Sequence, residues 1–206
     1  MKVLNNIKTL SLLSLVVFAV NLNADSSLEK TLDDKNVYVG VSLGYSNLHM
    51  SKDDKVGSVA LIENIDSSSK NILLETGFEY NKNLEFSLNY QRVDNDDVNL
   101  DNVYVSLKYK FPQDKFTPYV AANLGYSQLS WQTRPVATIN NDTSSGSYLV
   151  GTTLGLLYPL TTKVSLNLNY QVNMLDHETS VESLPNRSIL NHDLLQSFNV
   201  GIRYTF

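Results

Sequence analysis

The stretch that decides the fold is Ser197–Phe206, which reads SFNVGIRYTF. Its apolar residues stand at every second position, from Phe198 to Phe206, and polar or small residues stand between them. Because side chains alternate between the two faces of a strand, this period of two predicts a strand with one apolar face and one polar face.

Seven earlier segments have the same pattern, and each is about ten residues long, the length that a tilted strand needs to cross a bilayer. We therefore predict an all-β fold, an eight-stranded antiparallel up-and-down transmembrane barrel formed by residues 36–206, with the last strand closing against the first. The seven predicted strands are Asn36–Leu48, Lys70–Tyr80, Leu84–Arg92, Asp101–Phe111, Pro118–Leu129, Ser147–Tyr158 and Val164–Met174.

The connections between these segments predict the orientation of the barrel. Those after the second, fourth and sixth strands are short, whereas those after the first, fifth and seventh run to about twenty residues. Short periplasmic turns and long outer loops are typical of outer-membrane barrels, so both termini are expected on the periplasmic side.

Tyrosines stand near both ends of the predicted strands, where an amphipathic ring suits a membrane interface. A soluble β-sandwich, the competing fold, gives no reason for tyrosine at both ends. One predicted girdle consists of Tyr45, Tyr90, Tyr126 and Tyr170, and the other of Tyr80, Tyr109, Tyr158 and Tyr204.

The amino-terminal segment predicts export. Lys2 and Lys8 precede the apolar run Leu10–Val20, which ends near Leu22-Asn23-Ala24. This pattern predicts a cleaved secretory signal at residues 1–24, followed by a periplasmic tail at residues 25–35. With 21 acidic against 16 basic residues, nucleic acid is not an expected partner, and the absence of cysteine excludes disulfides and a lipoprotein anchor.

The segment KFTPYVAANLGY at residues 115–126 and the aromatic strand ends resemble the small outer-membrane barrel family of OmpA-type transmembrane domains, OmpX, OmpW and opacity proteins. The resemblance implies an integral protein of the bacterial outer membrane, monomeric and in contact with lipid and lipopolysaccharide. It also implies that Tyr204 and Phe206 belong to the signal read by the barrel-assembly machinery.

Six charged residues fall on the face predicted to line the lumen: Glu75, Glu79, Glu85, Lys108, Lys110 and Arg203. A charge removed from water needs a partner, so three acids and three bases predict an ion-pair network. An eight-stranded barrel is barely wider than its own side chains, and the core is therefore expected to be blocked. The alternative is a functional ion path or gate.

The three histidines are the remaining hint of chemistry. His49, His177 and His192 adjoin the first, seventh and eighth strands at the outer rim, and we interpret them as solvated loop residues. The alternatives are a metal or acid–base site with nearby acids, and a catalytic pair, since His49 and Ser51 have the spacing of the His and Ser in PagL-type lipid A deacylases.

Two predicted outer loops have unusual composition. Asp94–Asp97 and Asp101 are interpreted as a solvated acidic loop, with a Ca²⁺ or Mg²⁺ site as the alternative. Val56–Ile65 is unexpectedly apolar for an outer loop, and the sequence leaves open whether it extends a hairpin or covers the barrel mouth.

These patterns predict a non-enzymatic outer-membrane barrel without a cofactor or metal. Its long loops suit contact with an extracellular ligand or host surface, or its wall serves a membrane-structural role. The alternatives are a small OmpW-type channel for apolar solutes and a barrel enzyme that modifies lipid A.

Overall fold

The computed structural model describes residues 36–56, 68–94, 98–132, 140–141, 144–183 and 186–206. The predicted signal, the periplasmic tail, most of the apolar stretch (57–65) and residues 95–97 of the predicted acidic loop lie outside these ranges. The strands are β1 (Val37–Val56), β2 (Ser68–Glu79), β3 (Leu84–Asp94), β4 (Val98–Lys110), β5 (Thr117–Trp131), β6 (Asn140–Asn141), β7 (Ser144–Pro159), β8 (Val164–Ser183) and β9 (Asn186–Thr205).

Eight long strands form a closed antiparallel barrel, as the sequence predicts. Each long strand pairs with its neighbour along the chain, and β9 returns to β1 with Tyr38 opposite Thr205 and Leu48 opposite Leu195. The two-residue strand β6 lies on the edge of β8. In the described part of the chain, no helix is long and apolar enough to cross a membrane.

Tight turns at one end of the barrel follow from side chains that accept main-chain hydrogen bonds. Asn81 Oδ1 accepts from the amides of Asn83 (2.9 Å) and Leu84 (2.8 Å), and Thr161 Oγ1 accepts from that of Val164 (3.0 Å). The chain terminus lies at this end too, since the Phe206 amide donates to the Val37 carbonyl. We call this end the turn end and the opposite end the loop end.

The predicted faces are those of the structure. Near the turn end, apolar side chains such as Leu43, Val105 and Ile202 point outward and are exposed, while polar residues such as Ser42 and Asn199 are buried inside. Of the eight predicted girdle tyrosines, seven are exposed, and Tyr90 is half-buried with its hydroxyl donating to Asp101. An apolar band thus encircles the barrel between two rows of tyrosines.

Three strands are much longer than predicted. β1, β8 and β9 have 20 residues each, so the predicted strand limits at Leu48, Met174 and Ser197 are wrong. The predicted long loop between the last two strands is instead a hairpin that is paired from His177 with His192 to Ser183 with Asn186. At about 3.3 Å per residue these strands reach about 65 Å, far more than an apolar band about 25 Å tall requires even with tilt.

The strands continue past the apolar band because their apolar side chains move from the outward face to the inward face toward the loop end. On β1 the apolar side chains Leu43 and Tyr45 point outward, but Leu48 points inward and is buried, while Asn47 and Ser51 are exposed. The inward apolar residues form what we call the loop-end core, with Trp131 packed against it: Leu48, Leu73, Val93, Val98, Leu100, Tyr104, Leu129, Leu149, Leu175 and Leu195. This part of the barrel has a core like that of a water-soluble protein.

Candidate functional site

The lumen near the turn end is filled by a charged cluster centred on Glu85. This fully buried carboxylate accepts hydrogen bonds from Arg203 Nη1 (2.7 Å) and the Tyr38 hydroxyl. Its oxygens also lie 3.2 Å from Lys108 Nζ and 3.4 Å from Lys110 Nζ. Three cations therefore converge on a single buried carboxylate.

The other two acids of the cluster complete its charge balance. Lys108 donates to Glu75 at 2.6 Å, Lys110 contacts Glu79, and Arg203 Nη2 donates to Glu79 at 3.1 Å. The structure thus brings together all six charged residues that the sequence places on the inward face. Such a balanced set offsets the desolvation of each charge, whereas loss of one member would leave its partners buried and unpaired.

Strand register explains how the cluster forms. Glu85 on β3 stands directly opposite Lys108 on β4, and on its other side it stands opposite Glu79 on β2. Facing acids repel each other, so cations must lie between them. Arg203 supplies one from β9, a strand that pairs with neither β2 nor β3, by reaching across the lumen.

Tyr38 completes this cluster, although it is not one of the six charged residues. Its ring lies under the guanidinium of Arg203, with Arg203 Cζ 3.5 Å from the ring centroid, and Lys108 Nζ is 5.4 Å from the same centroid. Cations over an aromatic face are attracted to it. Gly77 leaves room for the ring, because a Cβ there would stand 2.7 Å from the Tyr38 hydroxyl.

Above the charged cluster, the lumen contains buried, neutral side chains joined by hydrogen bonds. Asn89 donates to Ser106 (2.9 Å) and Asn123 donates to Thr153 (2.9 Å), each between neighbouring strands. Gln171 on β8 donates to the Tyr104 hydroxyl on β4 (3.1 Å), and this bond crosses the lumen. The lumen therefore passes from charged to neutral polar to apolar layers, and side chains fill each layer.

The histidines occupy positions different from those expected. His177 and His192 are not solvated loop residues, since they lie in β8 and β9, point inward and are 0% and 1% exposed. His177 Nε2 lies 2.8 Å from Ser127 Oγ, and the His192 ring centroid lies 5.6 Å from that of Trp131. His49 alone is exposed, on the outward face of β1.

The structure also bears on the predicted acidic loop and on the predicted catalytic pair of His49 and Ser51. Asp94 and Asp101 lie in strands, and Asp101 accepts hydrogen bonds from Tyr90 (2.6 Å) and Arg92 (3.4 Å). Ser51 belongs to β1, as does His49. Among the described residues, no group of three or more His, Cys, Asp or Glu is arranged to hold a metal ion.

A closed eight-stranded barrel with an apolar outer band is the architecture of a transmembrane barrel, and residues 10–206 match the outer membrane protein beta-barrel domain family. The chain belongs to this family. No curated protein matches the sequence at a significant level.

Solved structures show the same fold as this outer-membrane barrel. Neisserial surface protein A is 19% identical with a TM-score of 0.59, and the match covers 82% of this chain and 97% of that chain. OprG from Pseudomonas aeruginosa is 13% identical with a TM-score of 0.58, covering 83% and 95%. Family membership makes the protein an integral outer-membrane barrel, and its apolar band is the surface that faces lipid.

The buried histidines of the outer-membrane barrel lie beyond its apolar band, since His177 is seven positions past Tyr170 on β8. Burial lowers the pKa of His177 to about 4, against smaller opposing effects of the Ser145 main chain and Asp176. Burial also lowers the pKa of His192 to about 4, aided by His177. Both rings are therefore neutral at pH 7.

The free energy of unfolding is expected to fall as the pH falls from about 6.5 to about 4. The unfolded chain takes up protons on these histidines near pH 6.5, and the folded barrel does so only near pH 4, so acid favours the unfolded state throughout that window. Urea unfolding in detergent at several pH values measures the loss. His192→Leu should flatten the profile and the exposed control His49→Ala should not, whereas equal profiles for all three proteins would contradict this origin.

Proposed function

We propose that this protein is a monomeric, non-enzymatic and non-conducting outer-membrane barrel whose loop end contacts a ligand or surface outside the cell. One observation carries the proposal: β1, β8 and β9 extend far beyond the tyrosine rows and project past a buried apolar core at the loop end. A lumen filled by side chains leaves no path for water or ions. A rigid projection built from strands, in contrast, provides a firm surface for binding.

The outward face of this projection has its own chemistry. It carries exposed acids from three adjacent strands, Asp53, Asp176, Glu178 and Asp193. An acidic surface attracts basic partners and repels acidic ones. A basic ligand, or divalent cations that bridge it to the phosphates of lipopolysaccharide, therefore suits this face.

The proposal requires the loop end to face outward and both termini to face the periplasm. Because the chain has no cysteine, single cysteines can report the orientation. On intact cells, a membrane-impermeant maleimide should label Glu178→Cys at the loop end and leave Lys82→Cys at the turn end unlabelled. Labelling of Lys82→Cys alone would reverse the orientation and exclude the proposed function.

The surface role is tested by neutralising the projection while keeping its shape. Cells carrying Asp53→Asn, Asp176→Asn, Glu178→Gln and Asp193→Asn together should bind a basic surface, such as polylysine-coated glass, less than cells carrying the unmutated protein. Unchanged binding, together with detergent sensitivity in cells that lack the protein, would favour the membrane-structural role instead.

We also propose that this barrel contacts the barrel-assembly machinery, outer-membrane lipid and lipopolysaccharide. Tyr204 and Phe206 pack edge to face with ring centroids 5.1 Å apart and are exposed at the turn end. That aromatic pair suits recognition by the barrel-assembly machinery. The tyrosine rows suit contact with lipid and lipopolysaccharide headgroups.

A second candidate, a channel that passes apolar solutes sideways into the bilayer, is favoured by one feature of the wall. Main-chain pairing between β7 and β8 extends only to Val150 opposite Met174. The next residues, Leu149 and Leu175, belong to the loop-end core, and a hydrogen bond from the Asp176 amide to Ser147 Oγ (2.7 Å) bridges the strands there. Faster uptake of an alkane by cells with the protein than without it would favour this channel.

A further inference from the structure

We propose that His177 and His192 form a binding site for one late first-row transition metal ion, Cu²⁺, Ni²⁺ or Zn²⁺, at the loop end of the lumen. The two residues stand directly opposite each other on β8 and β9. Opposite residues of an antiparallel pair have Cβ atoms about 5 Å apart, close enough for two imidazoles to share one ion.

An irregularity in the sheet places the two histidines opposite each other. The register of β8 and β9 shifts between Met174 and His177, so that β8 has one more residue than β9 in this stretch. Such bulges commonly re-aim a side chain. Past the shift, both histidines point inward and are buried.

The nitrogen atoms of the pair are short of partners. Within the described residues, His177 Nδ1 and both ring nitrogens of His192 have no hydrogen bond. A buried polar atom without a partner destabilises a protein, so three such atoms in one pair favour a bound ligand. Their chemistry selects the ligand, because imidazole nitrogens suit zinc, copper and nickel.

The surroundings of His177 favour coordination. Ser127 Oγ lies 2.8 Å from His177 Nε2 and can accept a hydrogen bond from the Nε2–H group, which leaves the lone pair on Nδ1 for a metal ion. Histidine ligands of metals commonly donate their other N–H in this way, which fixes the tautomer and the ring orientation.

The charges around the pair do not oppose a cation. Asp176 and Asp193 flank the histidines on their own strands, Ser127 and Trp131 face them from β5, and Met50 of β1 stands opposite His192. Two protein nitrogens leave the remaining positions to water or a hydroxyl, which predicts weaker binding than at sites with three or four protein ligands.

The chain carries a reporter for this site. Trp131 is its single tryptophan, and its ring centroid lies 5.6 Å from that of His192. Titration of the untagged, refolded mature protein in detergent with CuCl₂ at pH 7.5 should quench the tryptophan fluorescence with one-to-one stoichiometry. ZnCl₂, which does not quench by itself, should compete with Cu²⁺ and raise the midpoint of urea unfolding.

Alanine variants distinguish metal binding at this buried pair from metal binding at an exposed histidine. His177→Ala and His192→Ala should each weaken Cu²⁺ binding at least tenfold, and His49→Ala, an exposed histidine on the neighbouring strand, should leave it unchanged. Quenching that survives in the double variant, or that His49→Ala abolishes, would overturn the proposal.

A measurement on the unmutated protein covers the case in which the variants do not fold. Zn²⁺ should shift the imidazole ¹⁵N resonances of two histidines together. A shift of one histidine alone, or no shift at millimolar Zn²⁺, would overturn the proposal as well.

Discussion

Replacing Glu85 by glutamine is expected to lower the free energy of unfolding by about 3–5 kcal/mol, the cost of leaving buried charges without their partner. The change keeps the size of the side chain and removes the charge on which Lys108, Lys110 and Arg203 converge. Three cations then share only Glu75 and Glu79. Urea unfolding of the refolded barrel in lipid vesicles, followed by the mobility difference between folded and unfolded protein on gels, measures the effect.

Two further variants separate charge from packing. Ser87→Ala, at the next inward position of β3, should lower the free energy of unfolding by no more than about 1 kcal/mol, because Asn89 Nδ2, which donates to Ser87, keeps Ser106 as an acceptor. Adding Lys110→Met to Glu85→Gln restores the charge balance, because Lys108 still pairs with Glu75 and Arg203 still pairs with Glu79. The double variant should therefore recover part of the loss, since residues in one network are not additive. A stable Glu85→Gln barrel would show that water reaches the cluster and screens it.

Replacing Leu100 by alanine is expected to lower the free energy of unfolding by about 2–5 kcal/mol, as for other buried leucines. Leu100 is 1% exposed and stands in one row of the loop-end core between Val93 on β3 and Leu129 on β5. Truncation leaves a cavity inside the projecting part of the barrel, where lipid cannot fill it. The same vesicle unfolding experiment measures the loss.

Leu124→Ala is the matched control for that substitution. Leu124 points outward from the apolar band of β5 and is 59% exposed to the surroundings of the barrel. Lipid can occupy the space that this truncation vacates, so the loss should be clearly smaller. Equal losses at Leu100 and Leu124 would mean that the loop-end core does not support the barrel.

The period-two pattern located all eight barrel strands because a strand between lipid and a narrow lumen must alternate in polarity. It also placed Glu85 and Arg203 on the inward face, since strand parity fixes the face of each residue. What it did not predict is where strands end. Past Tyr45 the apolar residues move from odd to even positions, as at Leu48.

That switch of parity has a physical cause. Beyond the membrane the outside of the strand meets water and its inside meets a core, so the apolar face turns inward while hydrogen bonding continues. The same switch places Leu175, His177 and Thr179 on the inward face of β8. Interpreted as a change from lipid to water outside the strand, this switch predicts a longer β8 with His177 on its inward face. Trp131 and His192 are 61 residues apart in sequence, and their contact depends on the register shift between β8 and β9. No local sequence pattern encodes either feature.

The claim on which the account depends most is that side chains close the lumen from the charged cluster to the loop-end core. Reconstitution of the unmutated protein in planar bilayers, with single-channel recording in 1 M KCl, tests it most directly. The account predicts no stable, ion-sized conductance steps. Stable steps that appear with the purified barrel, together with an Arg203→Ala variant as stable as the unmutated protein, would show an open, water-filled lumen and contradict it.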